Sequence, residues 1–192
     1  MNLNLMDPKL IIVAVAVLLL IVVAVALYIR KRRKTSAGLR NRFGPEYQFA
    51  VQQQHGSERK AEAQLADRET RVEMLKIRNL DLIERERYLR EWQEVQARFV
   101  DYPKGAVTEA DELVCSLMRT RGYPVADFDQ RAADISVDHP QVVENYRSAH
   151  KIALRLGRGE ASTEELRTAM IHYRSLFDEL VQAQTVGDQR VA

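Results

Sequence analysis

Four histidines, one cysteine and a serine flanked by carboxylates are the residues of this 192-residue sequence whose types suit catalysis or metal binding. His55, His139, His150 and His172 include no pair at the four-residue spacing that sets two imidazoles on one helical face, and Cys115 has no second cysteine with which to complete a tetrahedral site. His150 and His172 fall on successive expected helices, but no carboxylate is placed by sequence as a third ligand. These histidines therefore read as partly buried or surface side chains. Cys115 lies among Val114, Leu117 and Met118, the setting of a small buried thiol rather than an activated one. Ser136 sits near Asp134, Asp138 and His139, yet triad members converge from distant positions, and Asp138 suits a helix cap. Gly157-Arg158-Gly159 lacks the third glycine, the lysine and the preceding strand of a phosphate-binding loop. No enzymatic activity, metal or cofactor is expected.

The segment from Asp134 to Arg147 is the most unusual non-periodic stretch. It gathers Asp134, Asp138, His139, Asn145 and Arg147 near a helix start, where free N–H groups suit an anion. The commoner outcome is a structural ion pair that buries Asp134 against Arg147 or Arg131. Trp92 and Phe99 are of the type that anchors a partner, though at helical spacing they read as core.

The elements that position these residues are helical. Pro45 stands where a first helical turn accepts proline, after the loop Phe43-Gly44. A charged helix is expected from Glu58 to Ile77, with Ala61, Leu65, Val72 and Leu75 on one side; the pattern fails at Arg68, so no sustained coiled coil is expected. Leu82 to Val100 is the most periodic segment, with Leu89, Trp92, Val95 and Phe99 facing a core and Asp81 with Glu84 as a capping box. After Asp101-Tyr102-Pro103 the next helix carries Val107, Ala110, Val114, Leu117 and Met118 up to Gly122. A short helix follows over Phe128 to Asp134, then one capped by Asp138 and Gln141 with Pro140 in its first turn, and a last one opened by Ser162 and Glu165. No β-branched alternating run bounded by turns is present. The expected class is all-α: an irregular bundle of five or six helices over 43–182 with a frayed tail at 183–192.

Ahead of this domain lies a charge-free apolar run over 10–29, with five Leu, four Ile, six Val and four Ala. As a helix it rises about 30 Å, the thickness of a bilayer's hydrocarbon core, so a transmembrane anchor is expected. Arg30, Lys31, Arg32, Arg33 and Lys34 follow it at once and open a basic linker over 30–42, while 1–9 offers only Lys9 against Asp7. By the positive-inside rule, 1–9 lies outside the cell membrane, the helical domain is cytoplasmic, and the five cations touch the membrane surface. The alternative is a cleaved signal with secretion, for which Ala24-Val25-Ala26 is the candidate site; its charge would lie on the wrong side. Setting these charges aside leaves 23 basic against 26 acidic residues, interspersed, which gives no footprint for nucleic acid. The expected partners are the lipid bilayer and another protein.

Four phrases carry a resemblance: Arg42-Phe43-Gly44-Pro45-Glu46-Tyr47, Gln96-Ala97-Arg98-Phe99-Val100-Asp101, Arg121-Gly122-Tyr123-Pro124-Val125, and Asp134-Ile135-Ser136-Val137-Asp138-His139-Pro140 with Tyr146-Arg147. Together they resemble a family of uncharacterised bacterial proteins, each a single-pass membrane or secreted chain with a helical domain after an N-terminal anchor. The likeness implies an all-α domain over most of 40–181 and brings no reaction, ligand or site residue. The function expected is that of a membrane-tethered helical interaction module without catalysis, the alternative being a small-ligand or enzymatic all-α pocket.

Overall fold

The computed structural model describes residues 17–24, 30, 36–124 and 126–182, and divides into two units, 1–41 and 42–192. In the first unit the described helical residues are 17–24, Arg30 and 36–41. The anchor expected over 10–29 is corrected here. Among the described residues no helix is long and apolar enough to cross a membrane. The single-pass membrane assignment, and the topology and cell-membrane location drawn from it, are withdrawn on that ground. The rest of 10–29, the cations at 31–34 and the tail at 183–192 lie outside the described residues, while Arg30 is exposed.

The second unit agrees with the all-α expectation: its described elements are helices, with no strand among the described residues. They are α1 (Pro45–Gln53), α2 (Glu58–Glu73), α3 (Leu82–Asp101), α4 (Pro103–Arg121), α5 (Phe128–Asp138), α6 (Val143–Gly157) and α7 (Thr163–Gln182). The main core is built from α3, α4, α6 and α7, with α4 packed on α3, α6 and α7, and α3 also touching α7. Trp92 of α3 stacks on Phe177 of α7 with ring centroids 4.7 Å apart. Phe177 is fully buried, and burying such a ring is worth roughly 2–3 kcal/mol. The hairpin of α1 and α2 joins this core through α5, against which α2 packs.

Local chemistry explains the helix ends. Asp81 and Glu84 form the expected capping box on α3: the Glu84 N–H donates to Asp81 Oδ1 at 2.7 Å, and the Asp81 N–H donates to Glu84 Oε2. Ser162 and Glu165 exchange the same bonds ahead of α7. α4 stops at Gly122, whose φ of 98° is left-handed and whose Cα faces the backbone of the 74–80 loop; a Cβ there would lie 2.4 Å from the Lys76 carbonyl oxygen. Arg121, fully buried, clamps that loop and α7 together by donating to the carbonyls of Arg78 and Leu180.

Five expectations change. The described helices of this unit are seven where five or six were expected, and the charged helix expected to reach Ile77 ends at Glu73. The short helix over Phe128 to Asp134 runs on to Asp138, so the Asp134 segment is helical. Asp138 does not cap the next helix; its carboxylate accepts from the Tyr123 hydroxyl, and α6 opens at Val143 without a side-chain cap. Leu89 is 40% exposed, and Tyr88 takes the core position expected for it because its hydroxyl finds Thr120 and Ser116 on α4.

Candidate functional site

The break in the apolar stripe of α2 marks the join between the hairpin and the bundle. Ala61, Leu65 and Val72 are buried as their spacing demands, and Arg68 is buried in register with them. Such a charge needs partners, and several converge on it. Arg68 Nη1 donates to Glu46 Oε1 of α1 at 2.6 Å and to the Ser136 hydroxyl of α5 at 3.2 Å. Arg147 of α6 grips the same Glu46 carboxylate with both Nη groups, at 2.6 and 2.8 Å, while its guanidinium lies 3.8 Å over the Phe49 ring. One turn further along α2, Arg71 Nε donates to Asp134 Oδ1 at 2.8 Å, and the Gln130 side chain donates to the same oxygen. Four helices thus meet along a buried ionic seam.

A polar cleft of about 390 Å³ opens beside the seam, lined from α2 by Asp67, Arg68 and Arg71 and from the start of α5 by Asp127 and Asp129. A second cleft of about 250 Å³ lies between α1 and α6 and shares Arg147 and Glu46 with the seam. The structure therefore brings together Asp134 and Arg147 from the singled-out segment, but as halves of different ion pairs. The expected pairing of Asp134 with Arg147 or Arg131 is replaced by Asp134 with Arg71 and Arg147 with Glu46. Sequence reasoning missed Glu46, Arg68 and Arg71; the one visible signal was a charge in register with an apolar stripe.

The remaining candidates disperse. His139 is buried, and its Nδ1 lies 3.0 Å from Glu179 of α7. Burial pushes its pKa down; the Glu179 bond opposes that shift and the Arg121 charge adds to it. Ser136 donates to the Ala133 carbonyl, Asp138 serves Tyr123, and Asn145 donates to Ser175, so no Ser-His-Asp arrangement forms from these residues. His150 stacks on Phe128 at 3.6 Å between centroids rather than meeting His172, and burial lowers its pKa. Cys115 is buried with Arg131 Nη1 2.7 Å from its sulfur. Burial, with help from Asp111, pushes the thiol pKa up against the Arg131 charge, which leaves it protonated at neutral pH. Among the described residues no group of three His, Cys, Asp or Glu side chains is arranged to hold a metal ion.

One face of α3 exposes apolar side chains among polar ones. Along α3, Leu82, Glu86, Leu89, Gln93, Gln96 and Val100 recur at intervals of four and three, in a line that flanks the buried face of Tyr88, Trp92 and Val95. Leu82 is 77% and Val100 82% exposed. The face continues into a groove of about 220 Å³ against α7, lined by Phe99, Met170 and Ile171 between Arg167 and Arg174. Trp92 is thus core, as its spacing suggests, whereas Phe99 is half-buried at the groove.

Set beside protein-family models, curated proteins and solved structures, the chain matches none of them.

Proposed function

We propose that this chain is a non-catalytic helical protein-interaction module that assembles through the outer face of α3, and that the partner on that face is a second copy. The observation that carries this reading is the exposed line of Leu82, Leu89 and Val100, because solvent-facing positions of a helix are ordinarily polar. Leu82, Leu89 and Val100 stand seven and eleven residues apart, and Glu86, Gln93 and Gln96 fill the positions between them at the four-and-three intervals of a coiled-coil seam. The line is also complementary to itself. Laid antiparallel on its copy, α3 sets Leu82 against Val100, Glu86 against Gln96, whose amide donates to the carboxylate, and Leu89 against Gln93. Ile83, also exposed, then faces Ala97 at the flank, and Arg90 near the dyad is neutralised by Glu86 of its own helix, 3.8 Å away. A protonated thiol beside a guanidinium, and histidines committed to Glu179 or to Phe128, supply no poised nucleophile or base, which favours binding over catalysis.

The test mixes two single substitutions of the purified full-length chain, Leu89→Cys and Gln93→Cys, under mild oxidation. The expected product is the mixed disulfide dimer, with far less cross-linking in either variant alone. Adding Val100→Glu to both chains is expected to abolish it. A mixture that cross-links no better than the separate variants would refute the assembly.

A further inference from the structure

Five buried polar atoms without a hydrogen-bond partner lie where α4, α5, α6 and α7 meet: Asp111 Oδ1, Arg131 Nε, the Tyr146 hydroxyl, His150 Nδ1 and the Tyr173 hydroxyl. They are closed to solvent, so water does not serve them. Native structures pair such groups with few exceptions, and donors and acceptors left together unpaired are held apart by other contacts. Here those contacts are a stack of rings. His150 lies flat on Phe128, the first residue of α5, with centroids 3.6 Å apart and planes 5° from parallel. Phe128 leans in turn on Tyr146, which meets Tyr173 edge-on. Beside the stack, Arg131 Nη1 lies 2.7 Å from the Cys115 sulfur, so α5 stands over the buried thiol.

A proton on His150 upsets this arrangement. The imidazolium gains an Nδ1–H that is buried with nothing to accept it, and its charge joins that of Arg131, whose guanidinium already lies 6.0 Å from the centre of the Phe128 ring. Asp111 Oδ1 is an acceptor in want of such a donor. The charges facing His150 are Asp111 of α4 and Arg131 and Asp129 of α5, with Asp111 acting most strongly. Cys115 of α4, Tyr146 of α6 and Tyr173 of α7 are held neutral by burial. Burial lowers the pKa of His150 in the stacked form, so that form holds at neutral pH and acid favours any arrangement that releases the ring.

We propose that His150 is an acid-operated latch on α5: on taking up a proton it leaves Phe128 for the Asp111 carboxylate, the first turn of α5 comes free, and Cys115 is uncovered. Cys115 is the only cysteine, so its rate of reaction with dithiodipyridine in the full-length chain, relative to the urea-unfolded chain at the same pH, reads the opening. Protection is expected to be level from pH 8 to 7 and to fall about tenfold between about pH 6.5 and 5, since one proton shifts an opening by at most about tenfold per pH unit. Trp92 fluorescence should stay unchanged over that range, which separates a local opening from unfolding. His150→Gln, which cannot charge, is expected to keep its protection, as is Asp111→Asn, which offers the imidazolium no carboxylate. His139→Gln should lose protection like the parent. Hydrogen exchange on the unmutated chain reads the same step without a substitution: corrected for intrinsic rates, the amides of Gln130, Arg131 and Ala132 should open in acid and those of α4 should not. Protection of Cys115 that holds down to pH 5, a fall that His150→Gln or Asp111→Asn leaves undiminished, a fall that coincides with loss of the Trp92 signal, or exchange at α5 that ignores pH would each overturn the proposal.

Discussion

Single side chains in this protein are defined by what burial does to their charge. His139 is the clearest case: it is held among Arg121, Glu179 and Asp138, and burial makes its neutral form the favoured one despite the Glu179 bond. A histidine whose pKa is lowered by folding takes up its proton first in the unfolded chain, so the folded state is most stable above the unfolded value of about 6.5 and loses stability as pH falls below it. His150, also lowered, adds to the same slope. The thermal midpoint is therefore expected to stay level between pH 7 and 8 and to fall between pH 6.5 and 5.5. The slope is at most about 1.4 kcal/mol per pH unit for each histidine. His139→Gln should make it shallower, and calorimetry across this range checks it. The Glu84 carboxylate titrates far lower, since the Arg78 guanidinium and the Asp81 backbone N–H hold it at about 2, so it leaves that window undisturbed.

At the scale of an element, α3 shows how one helix serves two faces. Its start is fixed by a reciprocal cap, its inner face by Tyr88, Trp92 and Val95, and its outer face is left free. Truncating Asp81 removes the acceptor of the Glu84 N–H, while the N–H of residue 81 keeps the Glu84 carboxylate and the core is undisturbed. Asp81→Ala is expected to cost about 1 kcal/mol, measured by urea denaturation, with the folded fluorescence of Trp92 unchanged. A loss indistinguishable from zero would mean that packing alone sets the start of α3. The cap was legible in the sequence because it depends on residues three apart. The inner face was legible only in part: spacing alone allows Leu89 or Tyr88 to face inward, and the hydroxyls of Ser116 and Thr120 on another helix make the choice.

The whole second unit divides by the chemistry of its contacts. The α3, α4, α6 and α7 core is held by apolar burial, whereas the α1–α2 hairpin meets α5 and α6 largely through Glu46, Arg68, Arg71, Asp134 and Arg147. Ionic seams recover less net free energy than apolar ones, because both charges must first be stripped of water. Native-state hydrogen exchange is thus expected to show α1 and α2 opening below the global free energy, ahead of α4 and α7. Glu46→Gln, which strands two guanidinia, should lower that opening free energy by about 3–5 kcal/mol or uncouple the hairpin altogether. Uniform exchange across all seven helices would contradict this division.

What the sequence determined by itself were the local features: the all-α class, most helix bounds, and the caps at Asp81 and Ser162, because propensity, periodicity and capping act over a few residues. It also suggested a membrane anchor from apolarity alone, which the described helices do not support. Only the tertiary structure decided the pairings. Glu46 and Arg147 are 101 positions apart, Arg71 and Asp134 are 63, and their meeting depends on how the hairpin lands on α5 and α6. Charge pairing is a property of distance in space, and one sequence offers many equally plausible partners for each arginine; packing selects among them.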